Sequence, residues 1–216
     1  MRILPAIILS LVIVLLGAPA ASPVARPTLA VSTTGSDSGR CTSSAPCRSF
    51  QRAYDVARPG QVVEVAAGDY PDQTLDGTKA GAKVVFTPRR SAKVHLGSLK
   101  VHADNVEVRS MQMLEWNAYE ESTGFTARNL DVNWFGIWGS HSTSVIGGDV
   151  GPSLVGGEFH TVWITFGDHD GEPRNLLIDH VYFHDFRKAK EGEHTQCIFI
   201  TGGEGVTIRK SRFVRC

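Results

Sequence analysis

The sequence predicts an all-β chain wound as a strand solenoid, with one short helix at its start. The first observation is a repeated phrase: two apolar residues two apart, a polar bend, then a second alternating pair. It reads Val106, Val108, Met111, Met113; then Phe125, Ala127, Leu130, Val132; more weakly Val145, Gly147, Val150, Pro152; then Leu176, Ile178, Val181, Phe183; and last Val206, Ile208, Ser211, Phe213. Alternation with a period of two is strand patterning, and its regular return marks stacked coils. The second observation is the interval. Successive first positions lie 19, 20, 31 and 30 residues apart. A coil near the shorter spacing that twice swells by a loop suits a solenoid, because insertions leave by one face. The third is that a clear helical period occurs once, at Phe50, Ala53, Tyr54 and Ala57.

Composition sets broad bounds. Of 216 residues, 42% are hydrophobic and 20% charged, a globular balance. Lysine plus arginine and aspartate plus glutamate both number 22. No global basic field exists to hold nucleic acid or anionic lipid.

Residues 1–20 read as a signal peptide. Arg2 supplies the positive charge, Ile3 to Gly17 is almost wholly apolar, and Ala18, Pro19 and Ala20 are the small residues a signal peptidase reads. That apolar run is shorter than the ~20 residues a membrane-spanning helix needs. After cleavage no membrane association is expected, and the product is secreted. Residues 21–30 then form a linker poor in packing residues.

Residues 31–60 read as an N-terminal cap. Cys41 and Cys47 bracket a small polar loop, which in an oxidising compartment suits a disulfide. Cys197 and Cys216 pair with each other, stay reduced or pair elsewhere; spacing does not choose. Ser49 offers an N-cap to the helix, and Pro59-Gly60 ends it. The first coil of a solenoid exposes its apolar interior and an unpaired edge, which such a helix would cover.

Residues 61–216 are the solenoid itself. A third inward position is expected ten residues after the first, at Trp116, Phe135, Val155, Phe186 and Cys216. Outward residues would then stack in ladders about 4.8 Å apart. One ladder is Arg109, Arg128, Gly148, Asp179, Arg209. Another is Glu115, Trp134, Leu154, Asp185, Arg215. Asp179 would face Arg209, and Asp185 would face Arg215. No capping pattern follows Phe213, so the expected solenoid continues past Cys216 or is covered there.

With the cap segment Cys41-Thr-Ser-Ser-Ala-Pro-Cys47-Arg-Ser-Phe-Gln-Arg-Ala, the segment Gly60-Gln-Val-Val-Glu-Val-Ala-Ala-Gly-Asp-Tyr70 and the phrase Gly205-Val-Thr-Ile-Arg-Lys-Ser-Arg-Phe213 in hand, the chain resembles the secreted right-handed parallel β-helix proteins of the pectate-lyase/pectin-lyase-like superfamily. The resemblance covers essentially the whole mature chain. It implies a right-handed parallel β-helix and an extracellular polysaccharide or glycan as ligand. It leaves the reaction open, since the group includes lyases, hydrolases, epimerases and non-catalytic adhesive proteins. A monomer is expected.

Candidate chemistry gathers in the two swollen coils. Gly157-Glu-Phe-His160-Thr-Val-Trp163-Ile-Thr165 and Gly192-Glu-His194-Thr-Gln-Cys-Ile-Phe-Ile-Thr201 read as two versions of one segment. His160, Trp163, Asp168 and His194 are the candidate substrate-binding residues. An indole offers a stacking surface for a sugar, and imidazoles offer hydrogen bonds or proton transfer; alternatively, each histidine caps a turn. Asp168-His169-Asp170-Gly171-Glu172 is the segment whose carboxylates would suit calcium, the cofactor of many lyases in this group, though such residues also build ordinary turns. No other cofactor is expected. Arg187 and Lys188 are candidates for a lyase base, with the Asp–Arg ladder as the blander account. Trp116, Tyr119, Trp134 and Trp138 suggest an aromatic strip in which Trp116 is core and Trp134 exposed. The Asp-Asp, His-Gly and Arg-Ile-Lys segments of hydrolases with this fold are missing, as are Walker, dinucleotide and Gly-x-Ser-x-Gly motifs.

Overall fold

The computed structural model describes residues 29–155, 162–167, 171–188, 190–191 and 196–216. Within them the chain is a parallel β-helix with one short α-helix near its start. Every named strand pairing is parallel, and each coil lays its strands on those of the coil before.

The strands line three faces. The first runs Leu29–Val31, Val62–Val65, Val84–Pro88, Val106–Arg109, the start of Thr126–Trp138, the start of Ser144–Val150, Leu177–Asp179 and Thr207–Arg209. The second runs from Gly68–Tyr70 through the early parts of Val94–Ala103 and Gln112–Tyr119 to Tyr182–His184 and Arg212–Val214. The third runs from Gln73–Gly77 through the later parts of the same long strands to Val162–Thr165 and Phe199–Ile200.

Pairing places like over like inside. On the first face Val63, Phe86, Val108, Ala127, Val145, Ile178 and Ile208 form one inward ladder. On the second, Tyr70, Leu96, Met113, Val132, Val150, Phe183 and Phe213 do the same. Trp116 lies fully buried over Phe135, ring centroids 4.4 Å apart and 6° from parallel. Truncating either ring would cost about 3–5 kcal/mol.

One repeat is corrected. Val145 pairs with Ala127, not Phe125, and Gly148 pairs with Leu130. The fourth copy is therefore Thr143, Val145, Gly148, Val150, two residues from the expected register. Thr143 takes the first inward position although it is polar. It is fully buried, and its hydroxyl lies 2.6 Å from that of Ser140, which in turn lies 2.9 Å from that of Ser122. A satisfied buried hydroxyl is tolerated where an apolar pattern search expects carbon. The same shift moves Ile146 into the ladder place expected of Gly148. The expected third inward ladder breaks after Phe135: Val162, not Val155, pairs with it, while Ser153 pairs with Phe186 and Leu154 with Arg187, not Asp185, in a separate two-stranded sheet.

The corners explain the bends between pairs. Ser110, Asn129, Gly147, His180 and Lys210 turn the first face into the second, all with φ between 49° and 63°. Asn105, Gly124, Ser142, Asn175 and Gly205 lead into the first face, also left-handed. His180 above Lys210, a pairing with no electrostatic sense, is thus a matching pair of left-handed corners.

Phe50–Val56 is the helix. The Ser49 hydroxyl accepts from the Arg52 N–H at 3.1 Å. Phe50, Ala53 and Tyr54 are buried, and Phe50 stacks on Phe86 at 4.9 Å. The Tyr54 hydroxyl donates to the carbonyls of Asp104 and Gly77, and burial, helped by the Asp104 charge, pushes that phenol up to about 12. Disulfides join Cys41 to Cys47 and Cys197 to Cys216. At the last coil Ile208 and Phe213 are 37% and 45% exposed.

Candidate functional site

The outward side of the third face carries an aromatic belt. Strand alternation sets it: with Trp116 and Phe135 pointing inward, Asn117, Tyr119, Gly136 and Trp138 point outward. His102, Tyr119, Trp138 and Thr165 follow one another on successive coils. Asn117, Gly136, Trp163 and Phe199 form the adjacent ladder. The belt crosses five coils, roughly 19 Å at the spacing of neighbouring strands.

The rings are held in place. His102 and Tyr119 stack with centroids 4.4 Å apart and 1° between planes. Trp138 and Trp163 lie 5.3 Å apart at 41°, and Phe199 meets Trp163 edge-on at 5.8 Å. The Trp138 Nε1–H donates to Asn117 Oδ1 at 2.8 Å. It does so across Gly136, where any Cβ would strike the Trp138 indole and the Asn117 amide. At one end His102 Nδ1 lies 3.0 Å from Glu121 Oε2. At the other, the Thr201 hydroxyl donates to Thr165 Oγ1 at 2.6 Å, and Phe166 is 44% exposed. Tyr119, Trp138, Trp163 and Phe199 are all half-buried, so each ring keeps an accessible part.

Of the expected substrate-binding residues, Trp163 is placed within this belt. His160, Asp168 and His194 lie outside the described residues. The paired strands are 36 residues apart, Trp163 on Phe199, whereas the two histidines are 34 apart in sequence. Among the expected strip residues, Tyr119 and Trp138 join the belt and Trp116 is core. Trp134, expected to be exposed, is half-buried instead, lying outward beside Glu115. His102, Asn117, Gly136 and Phe199 were missed. Their signal is the alternation itself, counted outward from Trp116 and Phe135.

The second face carries a separate polar cluster. Tyr182 and His184 stack at 4.6 Å and 12°. His184 Nδ1 lies 2.8 Å from Asp185 Oδ2, and its Nε2 lies 2.6 Å from Asp149 Oδ1. Arg215 grips Asp185 with two nitrogens, Nη2 at 2.6 Å from Oδ2. The Asp185 bond, aided by Asp149, raises the His184 pKa, while the Arg215 guanidinium holds Asp185 well below the usual carboxylate range. Beside them opens a groove of about 670 Å³ lined by Pro152, Ser153, Asp185, Arg187 and Arg215. On the neighbouring ladder Arg209 Nη2 meets Asp179 at 2.9 Å. Both expected Asp–Arg pairs are therefore present, each joining the last two coils.

Among the described residues no cluster of three or more His, Cys, Asp or Glu side chains could hold a metal ion. The carboxylates Asp168 and Asp170 of the calcium expectation lie outside those residues. Glu172, the described member, accepts the Gly203 N–H at 3.3 Å. No described helix is long and apolar enough to cross a membrane. The two disulfides fit an extracellular protein.

No protein-family model and no curated protein matches this chain. A solved structure described as a rhamnogalacturonan lyase is similar to it, with a TM-score of 0.46 and 11% identity over 87% of this chain. The alignment spans 62% of that protein's length. At that identity and score the likeness adds nothing to the architecture already given by the strand pairing.

Proposed function

We propose that the protein binds an extracellular polysaccharide along the aromatic belt of its third face and cleaves it as a lyase. The belt is the observation that carries the binding half of this reading. Pyranose rings present C–H faces that pack on aromatic planes, and a row of rings on successive coils matches a linear polymer better than a small molecule. The catalytic half rests on chain position. His160 and Asp168 flank the belt strand Val162–Thr165, and His194 precedes Phe199–Ile200. An imidazole there would take the proton α to a uronate carboxyl, and an acid would return one to the leaving oxygen.

A second reading is a non-catalytic glycan-binding module. It is favoured by the locking of His184 between two carboxylates and of Asp185 by Arg215, which leaves that cluster a structural look. Incubation with uronate polymers, with and without calcium, separates the two. A rise in ultraviolet absorbance from unsaturated product, lost in His160→Ala and His194→Ala, supports the lyase. Binding lost in Trp163→Ala with no unsaturated product supports the module. Failure of Trp163→Ala to weaken binding to any glycan sinks both.

A further inference from the structure

The first face, away from the belt, carries a group of cations that neither the fold nor the belt uses. Glu107 and Thr126 are in-register partners on Val106–Arg109 and Thr126–Trp138, and so are Arg109 and Arg128 two residues along. All four side chains point outward, because Val108 and Ala127 between them form the core. Lys83, in the turn before Val84–Pro88, reaches over the Glu107 strand and donates from Nζ to the Thr126 hydroxyl. Three cations thus converge on one carboxylate.

Glu107 is buried, and its Oε1 alone accepts both Arg109 Nε and Arg128 Nε, each at 2.6 Å. The two guanidiniums are fixed side by side by that shared oxygen. Among the described residues their terminal Nη groups have no hydrogen-bond partner. The two side chains remain 42% and 36% exposed, so those groups are open to solvent. Burial, with Arg128 adding repulsion, pulls the Lys83 ammonium down. Two positive charges in this half-buried patch are left without a counter-charge.

We propose that Lys83, Arg109 and Arg128 form a binding site for an oxyanion, either a sulfate or phosphate ion or the same chemistry carried as a sulfate ester or carboxylate on a polymer. Two guanidiniums on neighbouring strands, which run about 4.8 Å apart, leave their Nη groups for such an anion. Lys83 adds a third donor. Glu107 acts as a positioning residue: it fixes both guanidiniums before the anion arrives and never touches it. A neutral sugar finds nothing to neutralise these charges. The site lies on a different face from the aromatic belt and stands whether or not the belt binds glycan.

Isothermal titration of the whole protein with sodium sulfate, against sodium chloride at matched ionic strength, tests it. Parallel arms use inorganic phosphate, a sulfated oligosaccharide, a uronate oligosaccharide and an uncharged one. Saturable sulfate binding is expected to weaken roughly tenfold in Lys83→Gln, the loss of one charge-assisted hydrogen bond. Glu107→Gln keeps a side-chain oxygen to accept both arginine N–H groups and removes the competing negative charge, so it is expected to hold sulfate at least as tightly as the parent. Tighter binding of the charged oligosaccharide than of free sulfate, with the same Lys83 dependence, marks a polymer-borne anion; equal binding marks a free one. The proposal is overturned if sulfate gives no heat beyond chloride, or if folded Lys83→Gln binds it like the parent.

Discussion

Trp138 donates its indole N–H to the Asn117 side chain across the bare backbone of Gly136. Three residues on two coils thereby set one ring of the belt at a fixed tilt beside Trp163. The relationship can be broken without touching a ring. Gly136→Ala puts a methyl group where the indole and the amide lie. The Trp138 ring is expected to swing out, with a red-shifted tryptophan emission. Glycan affinity would fall about tenfold, or about 1.4 kcal/mol. Asn117→Ala should act in the same direction and more weakly. Unchanged binding in Gly136→Ala, with a shifted ring, would show that the belt is only surface.

The left-handed corners make a second prediction. Lys210 sits at φ 50° where Gly147, two steps back along the ladder, lies at 63° and His180, between them, at 58°. A side chain in that region costs roughly 1–2 kcal/mol, against roughly 0.4–1 kcal/mol lost by making the unfolded chain more flexible with glycine. Lys210→Gly should therefore raise the urea midpoint slightly. Gly147→Ala should lower it by more, because its new Cβ also meets the Asn129 side chain. Equal effects of the two exchanges would mean that the corner conformation is not what matters.

How far the sequence could be read follows the same physics. Ser49, Phe50, Ala53 and Tyr54 were legible because cap and period agree with the tertiary contact they make. Val108 over Ala127 was legible because both are apolar and two apart from the next inward residue. Thr143 was not, since a hydroxyl satisfied by Ser140 looks polar to any pattern of carbon. Gly136 and Asn117 were not, because their role lies in what a neighbouring coil places above them. The cation group was half legible: Arg109 and Arg128 fall on one expected ladder, as found, but Lys83 and Glu107 join them only through side-chain contacts that the repeat does not encode.

The His184 cluster ties stability to pH from two sides. His184 is raised from a value near 6.5, so its contribution is complete below that pH and fades as pH rises through the folded value. Asp185 is lowered from 3.8, so its contribution is complete above that pH and fades as pH falls towards the folded value. Together they stabilise most between about pH 4 and pH 6.5. The difference in urea midpoint between the parent and His184→Gln should be largest near pH 5 to 6, and should shrink towards about pH 9. A difference that stays constant over that range would rule out the charged imidazole as its source.

The last prediction concerns a buried polar residue in an apolar row. Gln73 occupies the inward place continued by Leu99, Trp116 and Phe135, so leucine looks like the better residue there. Its Oε1, however, accepts the Phe50 N–H at 2.9 Å, and its Nε2 donates to the carbonyls of Pro71 and Asp72 at 3.1 and 3.2 Å. The helix thus has two N-terminal acceptors: Ser49 from its own chain end and Gln73 from the coil beneath. Ser49 is half-exposed, so water replaces its hydroxyl and Ser49→Ala should cost about 1 kcal/mol. Gln73 is only 6% exposed. Gln73→Leu strands a buried N–H and two carbonyls, and should cost about 1–3 kcal/mol for the N–H alone, more than the cap itself. Paired denaturation curves decide it: a Gln73→Leu protein as stable as the parent would show that the helix is held on the solenoid by its apolar face and not by this bond.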